Sequence, residues 1–295
     1  MDNTSTAVTV SVADLASQLF DHDAATNEHT LKSDISPSLV IVDSSMGGKS
    51  SQQAFNDNAI PTARFLNVTD DLKDKSGRFP NTFPTEQVVK DVIGNLGIKL
   101  TDNIVVYAQS GKTIGATRAF VILSSFGFEN VKILDGGLSK YTELGYPTSK
   151  GEDYKGEKSE LSELKDPSEN RVSVHDIVEF SLNKSDDVQL IDTRPAKSFN
   201  GDASDNIDGC RQGNIPGSIN ITPSELLNED QTFKTGDALD EIIRKHNIDP
   251  TKKIIVMCRS GMQATVGVAV LQNYIGIPLT NVKLYDGSWS EYGSL

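Results

Sequence analysis

Only two of the 295 residues are cysteine, four are histidine and one is tryptophan. Two cysteines in so long a chain make no disulfide framework and point to a reducing compartment. The histidines (His22, His29, His175 and His246) lie far apart and have no metal-ligand spacing, so no metal is expected. No apolar run approaches the roughly 18 residues that cross a bilayer, so no membrane partner is expected. The N-terminus lacks a basic region followed by an apolar core and has no arginine before Arg64. It therefore reads as neither a secretory signal nor a mitochondrial presequence, and a cytoplasmic location is the expectation. Positive charge is scarce as well: 28 basic against 41 acidic side chains leave a net charge of −13. Nucleic-acid binding needs clustered cations, so that class is set aside. The same negative field repels small anions at long range, and any anion site must rest on local donors.

What the chain does have is an internal copy. Residues 85–120 align without a gap on residues 235–270, with Ala108 in the place of Cys258. Leu39–Ser44 (LVIVDS) answers Gln189–Arg194 (QLIDTR), and Val131–Gly137 (VKILDGG) answers Val282–Ser288 (VKLYDGS). Ser11 and Ser173 both stand before helical patterns as N-caps. Short Val- and Ile-rich runs between helical patterns predict parallel strands covered on both faces. The expected fold class is α/β, with two tandem domains, each a parallel sheet flanked by helices. Their expected bounds are 1–147 and 172–295, joined by a charged linker at 148–171 that wraps one domain or forms a surface helix at Ser159–Leu164.

Cys258 ends the apolar run Ile254–Met257 and opens a loop, Arg259-Ser260-Gly261-Met262-Gln263-Ala264, that runs into a second apolar segment. In a strand–loop–helix turn, backbone N–H groups converge on one point and the helix directs its positive end there. A thiol so placed is expected to ionise below its usual range of about 8.5. A buried core cysteine is the alternative, but the polar residues around Cys258 fit a core poorly. Two chemistries use such a loop. Phosphate-ester hydrolysis wants an arginine six positions after the cysteine, where this chain has Ala264. Sulfur transfer needs a thiolate and a compact anion pocket, and no acid when the departing group is already a stable anion. The residues suit sulfur transfer.

The tandem layout, the Ala108 substitution, the Cys258 loop and the closing run Tyr285-Asp286-Gly287-Ser288-Trp289-Ser290-Glu291-Tyr292-Gly293 resemble the two-domain rhodanese family of thiosulfate and 3-mercaptopyruvate sulfurtransferases. The resemblance implies that Cys258 carries a persulfide, that residues 259–264 cradle substrate, and that Asp192 and Arg194 order the site. It implies a small anionic sulfur donor, an acceptor thiol (a small thiol or a dithiol protein) or cyanide, and no cofactor. Because family members occur in both compartments, a mitochondrial location is the alternative. The loop departs from both family versions at Met262 and Gln263. Ser198 stands where the family has an arginine, Ile207 where the mercaptopyruvate enzymes have another, and their histidine, aligned near Asn81–Thr82, is missing. Lys197, Arg211 or Arg259 is left to supply the positive charge. Surface exposure is the plain alternative for Arg211, and a surface ion pair for Arg259. A resolving role for Cys210 lacks any Cys-x-x-Cys spacing. Should the missing arginines abolish turnover of small donors, the chain would be a sulfur-relay or regulatory module.

Overall fold

The computed structural model describes residues 7–109, 112–183, 186–202, 209–275 and 281–295. The chain forms two compact units. One comprises Met1–Lys73, Pro84–Lys165 and Asp230–Thr232; the other comprises Asp74–Phe83, Asp166–Glu229 and Phe233–Leu295. Each therefore includes a short piece from the opposite half of the sequence.

The first unit runs β1 (Thr9–Val10), α1 (Val12–Leu19), β2 (Phe20–Asp23), β3 (Glu28–Leu31), β4 (Leu39–Asp43), α2 (Lys49–Asp57) and β5 (Arg64–Phe65). It continues through α3 (Glu86–Asn95), β6 (Asn103–Tyr107), α4 (Ile114–Ser125), β7 (Asn130–Leu134) and α5 (Gly137–Glu143). Five strands pair in parallel in the order β1-β7-β6-β4-β5. The last four residues of β6 are all buried, as a strand covered on both faces requires. One face packs Val105 and Tyr107 with Leu15, Leu19, Ile41 and Tyr141. Ser11 caps α1 by accepting the Asp14 N–H at 3.0 Å, which fixes where the helix begins.

The second unit repeats the plan with α6 (Val174–Asn183), β8 (Val188–Asp192), α7 (Ala196–Phe199), β9 (Ile219–Asn220) and α8 (Pro223–Leu226). Then come α9 (Gly236–Lys245), β10 (Lys253–Met257), α10 (Ala264–Ile275), β11 (Val282–Leu284) and α11 (Ser288–Tyr292). Its parallel sheet has the order β11-β10-β8-β9. A single parallel bridge, Arg171 to Leu284, takes the edge position that β1 holds in the first unit. Ile177, Leu190, Ile255, Met257, Tyr285 and Trp289 share its core, so Trp289 packs inside this unit. No helix among the described residues is long and apolar enough to cross a membrane.

Two expectations change. No helix forms at Ser159–Leu164; the segment is extended and tied to the first unit. Its backbone donors are taken there: Gly151 N–H by Phe55 O, Ser159 N–H by Gly94 O and Lys165 N–H by Phe126 O. Gly94 admits this approach, since a Cβ there would stand 2.8 Å from Ser159 O. The histidines are not all apart either. In the antiparallel β2–β3 hairpin His22 faces His29, and their rings stack 4.8 Å apart. The hairpin is mostly polar and exposed, so it carried no apolar alternation to reveal it.

In the second unit Glu225 closes a capping box with Thr222 and also meets Lys245 at 2.8 Å and His246 at 3.0 Å. Burial raises its carboxyl, but hydrogen bonds from Lys245, His246 and the Thr222 N–H outweigh that and hold it at about 2. A depressed carboxyl stabilises the fold above its unfolded pKa and loses that contribution as pH falls towards the folded one. Glu225→Gln is expected to flatten the fall in thermal midpoint between about pH 4.5 and pH 2, by on the order of 1 kcal/mol once solvent screening is allowed for. Calorimetry over that range measures it.

Candidate functional site

Cys258 follows directly on β10, and the loop it opens ends where α10 begins. Gly261 turns the loop at φ +76°, and a Cβ there would stand 2.6 Å from Asp286 O. Only glycine meets both demands. The loop is clamped by the residues after β11. Ser288 Oγ accepts the backbone N–H of Cys258 at 3.1 Å and of Gly261 at 3.2 Å, and donates to Tyr285 O at 2.8 Å. Ser288 is fully buried and itself sits at φ +53°, a conformation that side-chain-bearing residues seldom adopt. Trp289 N–H donates to Cys258 O, and both the backbone and the hydroxyl of Ser290 donate to Arg259 O.

This arrangement corrects one expectation. Two of the loop's amides close on the Ser288 hydroxyl instead of converging on an incoming anion. Among the described residues, the backbone N–H groups of Arg259, Ser260, Met262, Gln263 and Ala264 have no protein acceptor. Amides held in a tight turn without acceptors are what an anion requires.

The predicted residues are distributed around a cavity of about 190 Å³ in the second unit, whose lining includes Arg194, Ser198, Arg211, Arg259, Gln263 and Trp289. Arg194 is buried and grips Asp192 through Nε and Nη2, the shortest contact being 2.7 Å. It also donates to Gly213 O and stacks 4.0 Å from the Trp289 ring centroid. Burial raises the Asp192 carboxyl and Arg194 draws it back, leaving it above the ordinary value. Arg194 is thus a buried structural pair with Asp192 that also lines the cavity. Arg211 stacks on Tyr292 at 4.4 Å, donates to Tyr292 O, and accepts from Trp289 Nε1 through its carbonyl. Gln263 donates to Thr193 O at 2.9 Å. Arg259 is exposed, while Met262 and Ala264 are buried behind the loop.

Three placements stand apart. Lys197 is exposed and outside the described cavity lining. Ile207, the other position of a missing arginine, lies outside the described residues. Cys258 is 2% exposed and does not itself line the cavity, although its neighbour Arg259 does. Cys210 is half-buried, its sulfur 3.9 Å from the carbonyls of Trp289 and Ser290. No group of three or more His, Cys, Asp or Glu able to hold a metal occurs among the described residues. Ser288, and Asn81, whose Nδ2 donates to Ser260 Oγ at 3.0 Å, were missed as site residues. The match of Val282–Ser288 to Val131–Gly137 held a signal for Ser288, because Gly137 takes its place in the first unit.

The first unit shows what the same frame does without this set. At Gly137 (φ +57°) a Cβ would stand 2.5 Å from Ala108 O, so no hydroxyl bridge forms there. Gln109 Nε2 donates to Asp43 Oδ2 at 2.7 Å, filling by an amide the place Arg194 takes opposite Asp192. Burial holds the Asp43 carboxyl above its usual range. Of the Gln109–Thr113 loop, Ser110 and Gly111 lie outside the described residues.

A family model for a rhodanese-like domain matches residues 27–144 and 178–295. The chain is 32% identical over 263 residues to the 3-mercaptopyruvate sulfurtransferase of Escherichia coli K12, covering 88% of this chain and 90% of that protein. It is 29% identical over 249 residues to the thiosulfate sulfurtransferase of Gallus gallus, covering 83% and 81%. The crystal structure of SseA from Escherichia coli, described with the 3-mercaptopyruvate sulfotransferases, matches with a TM-score of 0.79 at 29% identity. That match covers 97% of this chain and 100% of the other.

Removing one partner of a buried pair leaves an uncompensated charge, at a cost of about 3–5 kcal/mol. Arg194→Met is expected to destabilise the second unit by about that amount. Pairing it with Asp192→Leu recovers most of the loss, as urea midpoints of the two variants will measure.

Proposed function

Since this chain belongs to the rhodanese-like family, we propose that it is a sulfurtransferase carrying sulfane sulfur as a persulfide on Cys258. The observation that supports this most is the thiol at the end of β10, followed by five backbone amides that have no protein acceptor among the described residues. Amides held in such a turn can hydrogen-bond the anionic group of a donor or the outer sulfur of a persulfide. The thiolate attacks the outer sulfur of thiosulfate or the sulfur of 3-mercaptopyruvate. The donor's bond to that sulfur breaks: sulfite leaves with the bonding pair, whereas pyruvate leaves as its enolate and takes on carbon the proton given up by the mercapto group. A thiol or cyanide then attacks the outer sulfur of the persulfide and regenerates Cys258, a double displacement through a covalent intermediate. Arg259 and Arg211 are the cavity cations proposed to meet the donor's anionic group, with Gln263 shaping the wall. Arg194, held by Asp192, contributes mainly by keeping Trp289 in place. Lys197, outside the cavity lining, is left a minor electrostatic part.

The 2% exposure of Cys258 favours keeping one second reading in view. A sulfur-relay or regulatory module would react slowly with small donors and readily with a persulfide on a partner protein. Comparing both sources on the same protein separates the two.

Incubation with thiosulfate or 3-mercaptopyruvate alone is expected to add one sulfur atom at Cys258, read by intact and peptide mass spectrometry. Cys258→Ser is expected to abolish the adduct and lower turnover by at least about a thousandfold, the loss of the covalent route. Turnover close to wild type in that variant would refute the mechanism.

A further inference from the structure

The β2–β3 hairpin is an addition to the duplicated frame: the second unit passes from α6 to β8 through residues 184–187, too few for a copy of it. The hairpin's register sets His22 opposite His29. At its foot the Lys32 N–H donates to Leu19 O at 2.9 Å, so that Leu19 and Lys32 form a hydrogen-bonded pair. Hydrogen-bonded and non-hydrogen-bonded pairs alternate along an antiparallel ladder. His22 and His29, the third pair beyond the foot, therefore occupy a non-hydrogen-bonded position, where facing side chains come closest. Their ring centroids lie 4.8 Å apart. His29 is half-buried and packs against Tyr146 at 5.0 Å and Phe20 at 6.0 Å, whereas His22 is exposed. Among the described residues neither imidazole has a protein hydrogen-bond partner.

We propose that His22 and His29 form a two-point site for a divalent transition ion of the nickel, copper and zinc class, with water completing its coordination. Imidazole suits these ions, whereas carboxylate, carbonyl and water suit Mg²⁺ and Ca²⁺. An ion about 2.0–2.1 Å from one nitrogen of each ring sets the two centroids roughly 4.5–5.2 Å apart, for angles at the metal between square and tetrahedral. The observed 4.8 Å falls inside that range, so the strands already hold the rings at the spacing of a chelate. The planes stand 28° from parallel, and binding turns the rings about their side-chain bonds from stacked to converging. His22, exposed at the surface, has room to make that turn. Asp21, Asp23 and Glu28 point to the opposite face by strand alternation, where they add negative field and not ligands. An ion held in this way ties β2 to β3. The site belongs to the first unit and stands independent of the chemistry proposed for Cys258.

The test is calorimetric titration of the full chain with Ni²⁺, an ion that leaves thiols unoxidised, with Mg²⁺ as the control. Wild type should bind Ni²⁺ and not Mg²⁺. His22→Ala and His29→Ala should each weaken the Ni²⁺ event about a hundredfold, since the second imidazole meets an ion already held beside it. A second measurement uses the unaltered protein and so does not depend on how a variant folds. Acylation by diethyl pyrocarbonate, mapped by peptide mass, should be slowed by Ni²⁺ at His22 and His29 together and left unchanged at His175 and His246. If wild type takes up no Ni²⁺, if either single variant binds it as wild type does, or if Ni²⁺ protects fewer than both rings, the shared site is refuted.

Discussion

The second unit's loop depends on a buried hydroxyl. Ser288 Oγ satisfies the N–H of both Cys258 and Gly261 while donating to Tyr285 O. Those three hydrogen bonds tie the end of one strand to the turn after its neighbour. Orphaned buried amides cost about 1–3 kcal/mol each, which is enough to hold a serine at φ +53°. With those two amides occupied, the start of the loop and its turn at Gly261 are fixed against the residues after β11.

The duplicated frame supplies an internal comparison. Both units bury an aspartate at the end of the equivalent strand, Asp43 and Asp192. One is met by the neutral amide of Gln109, the other by the guanidinium of Arg194. In the first, the amide also donates to Asn58 O at 2.9 Å. The second brings in a cation that also stacks on Trp289, and a cavity remains beside it. Replacing Cys258 by Ala108, Arg194 by Ser45 and Ser288 by Gly137 removes the thiol, the cation and the bridging hydroxyl together. The fold survives because the strands and their covering helices carry its burial, independent of those three positions.

Much of this was legible in the chain. Four- and five-residue Val/Ile runs at matching intervals announce two parallel sheets, and their burial on both faces explains why those runs are continuous. Cys258 was legible because polar residues crowd a position that ends a core strand. Ser288 was legible only as a difference from Gly137 between the two copies; on its own a serine after Asp-Gly reads as an ordinary turn, and its left-handed backbone leaves no mark. Residues 74–83 were equally silent: a polar stretch without periodicity gives no sign of which half of the protein it joins. The His22–His29 pairing was hidden for a similar reason, because an exposed hairpin needs no apolar alternation.

The exchanged segments bear on biosynthesis. Translation delivers Asp74–Phe83 long before the sheet it joins, while Asp230–Thr232 reaches the first unit only after about half of the second has been made. Neither unit can therefore be finished while the chain is half synthesised. Early in its life the nascent polypeptide exposes a decapeptide awaiting its own C-terminal half, and the order of emergence from the ribosome sets when the cysteine loop acquires its tether from Asn81.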